Sequence, residues 1–477
     1  MYGLRSCFRV GIFLAVLFSC AWSMGQETSV TVTPPFEMRV LYAPGHFGNS
    51  YEVMGEHEMR AYLAECKEMG FNRYADWFDS VDCTDPFSDK YHHLMGSVLW
   101  GRKKANFRSA QDLGFACDLV ITPNHVFADQ CPAEIAAVKA DRIFGQLVCP
   151  SKPEGRTIIL RNYENLFADL AKSGVRLNAL WPGPYDYGGC ACDACKPWIL
   201  TFAKLCREIG DIAGKYHPGI EMRFIGWWWS AEEHRLFAEW ADREAPNWVK
   251  SLALHIPYGD FDVGNVPLPQ GCERQAFVHI GYAEETKPMD IYGRFGPVIA
   301  ADRLERTLAT LKAHGCTGVM AYSEGVFDDV NKALLAGLGS GKHTHADDVL
   351  KAYAKRYFKA DDTDASAWAD WLKAWGRPFA VDPVASGAAL APLMAKMDDT
   401  PWRASQWSLK LDLLKAHNAV MALTEWTPER LARVDDFWKT YEVLERRIWG
   451  LGLSRGCLGR SGCDLPWYQE WAQQVKR

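Results

Sequence analysis

The chain has 477 residues, 48% of them hydrophobic and 23% charged, so it can bury a large core and is too long for one ordinary domain. Its formal net charge is −6, its pI is about 6.1, and it contains no basic run. These values exclude the electrostatic signature of a nucleic-acid-binding protein, so we expect no nucleic-acid partner.

The first 25 residues predict a signal peptide, because two arginines precede an apolar run at 10–18 and small residues follow it. That run is too short to span a bilayer. The sequence Leu-Phe-Ser-Cys at 17–20 is similar to a bacterial lipobox, so lipid attachment at Cys20 is an alternative to simple cleavage. We expect a secreted, periplasmic or outer-membrane lipoprotein that contacts a membrane only through this anchor.

Eight short apolar runs, each followed by a helix or a helix-sized connection, predict a (β/α)8 barrel over residues 30–342. The predicted strands are 37–42, 71–79, 115–122, 175–181, 221–229, 251–257, 275–281 and 318–324. The pattern then changes to helices at 347–358, 365–375, 403–423 and 428–449, which predicts an all-helical C-terminal domain over residues 343–477. The predicted fold class is therefore α/β, with an added helical domain.

Polar residues that follow the strands of such a barrel meet at one face, however far apart they are in the sequence. Carboxylates and aromatic rings are frequent at these positions, as in enzymes that hydrolyse glycosidic bonds with one protonated and one ionised carboxyl group. The candidates for substrate binding are His46, Asp76, Asn124, His125, Tyr185, Tyr187, Trp228, His255 and Tyr322. Each of these side chains, taken alone, is more often structural.

Asp186 is the candidate general acid, because it follows the fourth strand between two tyrosines that would shield it from water. The alternative is that Asp186 forms an Asx-type turn ahead of Gly188 and Gly189, which permit a tight loop. Glu324 follows the eighth strand and is the candidate base or nucleophile, with Glu284 in reserve. An ion pair with a neighbouring loop is the alternative role for Glu324.

Adjacent rings in the run Trp227-Trp228-Trp229 would point in opposite directions on a strand. One of them can therefore supply a platform for a sugar ring, whereas at least one should pack in the core.

Cys190, Cys192 and Cys195 have a spacing that suits a metal ion, and Cys149 can supply a fourth ligand. Such a site would brace the loop that contains Asp186 and would take no part in the reaction, so we expect no cofactor for catalysis. Disulfides are the competing interpretation in an exported protein.

The loop with Asp186 and the three cysteines, together with Tyr-Ser-Glu-Gly-Val-Phe-Asp-Asp-Val-Asn-Lys at 322–332, resembles exported barrel glycosidases. These are related to the α-glucuronidases and to hexosaminidase-type enzymes, including endo-N-acetylglucosaminidases. The resemblance implies a glycan-degrading enzyme whose acid follows the fourth strand, which is Asp186 here. Hexosaminidase-type enzymes have an Asp-Glu pair in that loop, whereas this chain has Asp186-Tyr187. This difference argues against an N-acetyl-assisted mechanism.

The sequence thus predicts a glycoside hydrolase that acts on a polysaccharide or glycan with two carboxyl groups. A hexosaminidase-like enzyme and a non-catalytic glycan-binding lipoprotein on the same barrel are the alternatives. The sugar, the linkage, the stereochemical outcome and the oligomeric state are left open.

Overall fold

The structure is a computed structural model that describes residues 33–45, 50–78, 84–88, 94–185, 188–256, 263–280, 299–323, 329–376, 380–397, 402–449 and 467–475. The chain divides into two compact units, Met1–Thr33 and Pro34–Arg477. The predicted signal peptide and Cys20 lie outside the described residues, so both remain predictions.

Eight parallel strands form a closed barrel in which each strand pairs with its neighbours in sequence and the eighth pairs with the first. The strands are β1 Met38–Tyr42, β2 Arg73–Trp77, β3 Ala116–Ile121, β4 Ala179–Pro182, β5 Glu221–Gly226, β6 Val249–Ile256, β7 Glu273–His279 and β8 Gly318–Tyr322. The predicted (β/α)8 fold is therefore confirmed.

Alternate residues of the strands face the barrel interior, as the two-residue period of a strand requires. The interior is filled by Met38, Val40, Tyr42, Ala75, Trp77, Val120, Ala179, Trp181, Ile225, Ala253, Phe277 and Met320. The intervening apolar residues, such as Leu119 and Phe224, belong to the larger core outside the barrel. Each strand is thus buried on both faces, which explains why it was recognisable as a short apolar run.

Ion pairs occupy the end of the barrel at which the strands begin. The Arg73 guanidinium donates to Asp118 at 2.8 Å, and the indole Nε1 of Trp181 donates to the same carboxylate at 3.0 Å. Arg223 donates to Ser251 at 2.9 Å. These buried polar groups pair with one another, and the functional residues of a parallel barrel lie at the opposite, carboxyl end of the strands.

The helices that accompany the barrel are α1 Ser50–Val53, α2 Glu56–Met69, α3 Leu94–Asp112, α4 Pro153–Lys172, α5 Trp198–Tyr216, α6 Ala231–Glu244, α7 Ala301–Ala313 and α8 Asp329–Gly339. The C-terminal helices are α9 Ala346–Tyr357, α10 Asp362–Lys373, α11 Pro383–Ala395, α12 Trp402–Met421, α13 Pro428–Trp449 and α14 Tyr468–Gln474. Across the described residues, no helix is both long enough and apolar enough to cross a membrane.

A buried ion-pair cluster joins the C-terminal helices to the barrel. Arg403 of α12 donates to Asp329 of α8 at 2.6 Å and also contacts Glu65 of α2. The predicted border between the two domains, at residues 342 and 343, falls between α8 and α9 and stays a prediction. Barrel and helices together belong to the compact unit Pro34–Arg477.

Candidate active site

The three carboxylates predicted to act in catalysis, Asp186, Glu284 and Glu324, lie outside the described residues, as do His46 and Tyr187. The residues that immediately precede Asp186 and Glu324 are described. They are Tyr185, just after β4, and Ser323, just after β8.

Tyr185 contacts residues of two other connections at the carboxyl end of the barrel, one in a loop and one in the first turn of α6. Its hydroxyl donates to Glu233, the third residue of α6, and the Arg142 guanidinium lies 4.0 Å from its ring centroid. Arg142 also pairs with Glu233 at 3.1 Å. Burial alone would raise the pKa of Glu233, but hydrogen bonds from Arg142, Ser230 and Tyr185 lower it below the usual value. Glu233 is therefore an ionised brace and is poorly suited to be a general acid.

Ser323 is fixed in a comparable way at the end of β8. Its backbone N–H donates to the carbonyl of Tyr42 at 3.0 Å, and its hydroxyl bonds the hydroxyl of Tyr51 at 2.5 Å. Tyr51 in turn contacts the hydroxyl of Tyr62 at 3.0 Å. The ammonium group of Lys332 lies 5.4 Å from the Tyr51 ring, and burial lowers the pKa of this lysine well below its usual value.

Aromatic and imidazole rings meet inside the mouth of the barrel. Trp227 lies between His255, at 4.4 Å, and His279, at 4.9 Å, measured between ring centroids. Tyr322 is 5.1 Å from His279 and stacks on Phe277 at 5.6 Å. Burial, followed by the charge of His255, lowers the pKa of His279 well below its usual value, so the His279 imidazole is neutral. No described residue hydrogen-bonds the Nε1 of Trp227.

Two of the three consecutive tryptophans stack on one another, since the ring centroids of Trp227 and Trp228 are 5.8 Å apart. Trp227 faces the barrel mouth, whereas Trp229 packs against Phe237 at 4.9 Å, outside the barrel. Trp228 is 36% exposed, has a positive φ of 57°, and lies 6.4 Å from the ring of Phe144. Its carbonyl accepts a hydrogen bond from Arg142. Trp228 and Phe144 thus form an exposed aromatic pair, which we call the rim pair.

Two of the predicted substrate-binding residues have structural contacts instead. Asp76 is fully buried, and its carboxylate accepts hydrogen bonds from Lys103 at 2.6 Å and from the Tyr74 hydroxyl at 2.8 Å. The side chain of Asn124, also fully buried, bonds both backbone groups of Gly189. These contacts favour a structural role for both side chains, because their polar atoms already bond the protein, and substrate binding by them stays a prediction.

The other described candidates lie closer to the mouth. His125 is buried against Trp77, with the ring centroids 6.1 Å apart, and burial lowers its pKa to about 3. His255 and Tyr322 belong to the ring cluster around Trp227 described above. Of these, His255 and Tyr322 are partly exposed.

The four cysteines singled out in the sequence come together. The sulfur atoms of Cys149, Cys190, Cys192 and Cys195 all lie within 4.8 Å of one another. None of the ten cysteines that the structure describes is in a disulfide. The hydrogen bond between Cys190 and Cys195 lowers the pKa of Cys190 and raises that of Cys195. The four sulfur atoms are thus close enough to bind one ion, and the predicted metal site stays a prediction.

The sequence analysis did not select Arg142, Trp227, Glu233 or His279 as site residues, although it proposed that one ring of the run 227–229 supplies a platform for a sugar. The phase of the strands would have found two of them, because Trp227 follows the inward-facing Arg223 and Ile225, and His279 follows the inward-facing Gln275 and Phe277. Arg142 and Glu233 carry no comparable signal, since they lie 91 positions apart, one in a loop and the other in the first turn of α6.

No protein-family model and no curated protein sequence matches the chain. Solved structures do match. A point mutant of the O-GlcNAc hydrolase of Thermobaculum terrenum aligns over 92% of this chain and 89% of its own, with 10% identity and a TM-score of 0.44. The chitobiase of Flavobacterium johnsoniae aligns over 87% and 72%, with 11% identity and a TM-score of 0.40. The β-amylase catalytic domain of Paenibacillus polymyxa aligns over 65% and 98%, with 9% identity and a TM-score of 0.38.

At these identities and TM-scores, the likeness adds nothing to what the strand pairing already shows. The reaction must be argued from the residues of this chain.

Proposed function

We propose that this protein is a glycoside hydrolase that cleaves a glycosidic bond in a polysaccharide or glycan. Asp186 is the general acid in this proposal, and Glu324, with Glu284 in reserve, is the ionised partner. The observation that supports it most is that Tyr185 and Ser323, the residues before Asp186 and Glu324, are each fixed by hydrogen bonds at the carboxyl end of the barrel.

Fixed positions matter because an acid and a nucleophile accelerate the reaction only when both are within reach of the same bond. Tyr185 is anchored by Arg142, in the connection between β3 and α4, and by Glu233, in the first turn of α6. Ser323 is anchored from β1 and α1. Loops that were free at these points would have to be ordered in each catalytic cycle, at a cost in rate.

The mouth between these anchors suits a sugar. Sugar rings present C–H faces that pack on aromatic rings and hydroxyl groups that need hydrogen-bond partners. Trp227 and Tyr322 provide the rings, and the Nε1 of Trp227 and the His255 imidazole provide polar contacts. The rim pair of Trp228 and Phe144 would extend the binding surface outward from the mouth.

Leaving-group chemistry separates the two carboxylate roles. A general acid is needed when the departing oxygen is basic and is nearly dispensable when it is acidic, as in a dinitrophenyl glycoside. Asp186→Asn should reduce kcat on an unactivated glycan by about a hundredfold to ten-thousandfold while largely keeping the rate on the dinitrophenyl glycoside. Glu324→Gln should abolish turnover of both substrates. A panel of aryl glycosides and polysaccharides would first identify the sugar.

Asp211→Asn is the matched control, because Asp211 is an exposed carboxylate on α5 that should leave both rates unchanged. Full activity of both Asp186→Asn and Glu324→Gln would refute the assignment, and Glu284→Gln would then be tested in the same assay. A wild-type protein that binds glycans from a broad panel but cleaves none would support the glycan-binding alternative. Cleavage confined to N-acetylhexosaminides would support the hexosaminidase-like one.

A further inference from the structure

We propose that Cys149, Cys190, Cys192 and Cys195 form a structural zinc site with one Zn²⁺ ion per chain. Four sulfur atoms within 4.8 Å of one another can all reach a common centre. The inference does not depend on the proposed glycosidase activity, and its test measures metal content and thiols.

The sulfur–sulfur distances distinguish a metal site from disulfides. Four sulfurs bound tetrahedrally to zinc at about 2.3 Å lie about 3.8 Å from one another. Cys149 Sγ is 3.7 Å from that of Cys192 and 3.6 Å from that of Cys195. A disulfide requires about 2.05 Å between two sulfurs, and it would join the cysteines in pairs. One sulfur that lies at the tetrahedral spacing from two others fits a shared metal ion better than a disulfide, which would join it to only one partner.

A polar side chain beside the cluster contacts both a sulfur and the loop that carries it. The Ser151 hydroxyl donates to the carbonyl oxygen of Ala194 at 3.2 Å. The Ser151 hydroxyl also lies 3.0 Å from the sulfur of Cys195. Such contacts resemble the second shell that orients metal ligands in known sites.

Two helices begin beside the cluster. Helix α4 starts at Pro153, and its Gly155 is packed so closely on Cys149 that a Cβ there would lie 2.5 Å from the Cys149 carbonyl oxygen. Helix α5 starts at Trp198, three residues after Cys195. Helix N-termini favour nearby anions, so four thiolates around a divalent cation are better tolerated here than on an open surface.

An all-sulfur shell leaves no open coordination position for substrate or water, so the ion would be structural. Cys149 ends the long excursion between β3 and α4, whereas the other three cysteines lie between β4 and α5. The ion would therefore tie these two connections together. The bonds between Asn124 and Gly189 join the same two connections at a second point.

The test is zinc analysis of the purified full-length chain, with Cys192→Ser as the ligand variant. Cys272→Ser is the matched control, because Cys272 is another partly buried cysteine outside the cluster. We expect about one zinc per chain in the wild type and in Cys272→Ser, and less than about a fifth of that in Cys192→Ser. Thiol titration of the denatured, metal-free wild type should find the four cysteines reduced.

Cobalt substitution of the wild type gives a second measurement if Cys192→Ser does not fold. Co²⁺ bound by four thiolates should show intense sulfur-to-metal charge-transfer absorption and the visible bands of a tetrahedral ion. A wild type that contains no zinc after expression in zinc-supplemented medium would overturn the proposal. About four missing thiols in the denatured protein would also overturn it, in favour of two disulfides.

Discussion

Gly189 has a backbone conformation in the loop after β4 that favours glycine. Its φ is 118°, and a Cβ at this position would lie 2.7 Å from the Cγ1 of Ile143. Side chains rarely adopt such a backbone conformation, so Gly189→Ala adds both backbone strain and a steric clash. We expect it to reduce the free energy of unfolding by roughly 1–3 kcal/mol.

Gly183→Ala is the control in the same loop, since a Cβ at Gly183 would meet no atom within 4 Å. It should change the unfolding free energy by less than about 0.5 kcal/mol. Urea unfolding of the two variants beside the wild type provides the measurement. Equal stability of the two variants would mean that the loop rearranges freely around Gly189.

The same residues show what amino-acid type can and cannot predict. The tight turn at Gly188-Gly189 was predictable, because glycine is the residue that tolerates a positive φ. The role of Asp76 was not, because its partner Lys103 is 27 positions away on a helix that the sequence pattern did not reveal. A buried polar residue and a site residue look alike until their partners are known.

At the scale of elements, the strands were easier to predict than the helices. Every strand contains apolar residues that are buried, whereas helix α3 includes Gly101 and two adjacent lysines that obscure its apolar stripe. Helix α11 contains Gly387 and Pro392, which are unfavourable inside helices, and was missed for that reason. Helix α4 begins at Pro153, because proline is favourable in a first helical turn.

The contact between α12 and α8 predicts a large effect of a single substitution. Asp329 is 1% exposed, and Arg403 and the Tyr353 hydroxyl both donate to its carboxylate. Arg403→Met keeps most of the side-chain volume but leaves a buried carboxylate without its cation. Removing one partner of a buried pair typically costs about 3–5 kcal/mol, and we expect a loss of that size in the unfolding free energy.

The pair between Arg356 and Glu68 is the surface comparison, with the two side chains 49% and 56% exposed. Arg356→Met should cost less than about 1 kcal/mol by the same urea titration. Adding Asp329→Asn to Arg403→Met should restore part of the lost stability, because the uncompensated charge is then removed. If Arg403→Met unfolds at the wild-type urea concentration, the ion pair does not stabilise the junction.

At the scale of the whole molecule, closure of the barrel brings together residues that no local pattern connects. Arg142 and Glu233 meet across 91 positions, and Cys149 meets Cys192 across 43. The sequence predicted that the strand ends would converge, because the topology of a parallel barrel requires it. Which loop residues pair there depends on the paths of the long connections. The sequences of these connections have no hydrophobic periodicity from which their paths could be predicted.

Buried histidines distributed over the molecule predict that stability depends on pH. Burial lowers the pKa of His125 to about 3, that of His217 and His234 to about 4, and that of His279 well below the usual 6.5. In the unfolded chain these imidazoles regain ordinary values, so the unfolded state binds more protons than the folded state below pH 6.5. The contribution of these histidines to the free energy of unfolding is therefore fully present above pH 6.5 and is lost as the pH falls towards 4.

Each such histidine can lower the free energy of unfolding by up to about 1.4 kcal/mol per pH unit within this window. Several together should therefore make the free energy of unfolding decline steeply with falling pH. Urea unfolding at half-unit steps from pH 7.5 to 4.5 would measure it. In His217→Gln, replacement of one buried imidazole by a side chain that does not titrate should make the slope shallower, whereas replacement of the exposed His57 should not. A flat profile from pH 6.5 to 4.5 would show that these imidazoles become protonated in the folded protein without breaking its core.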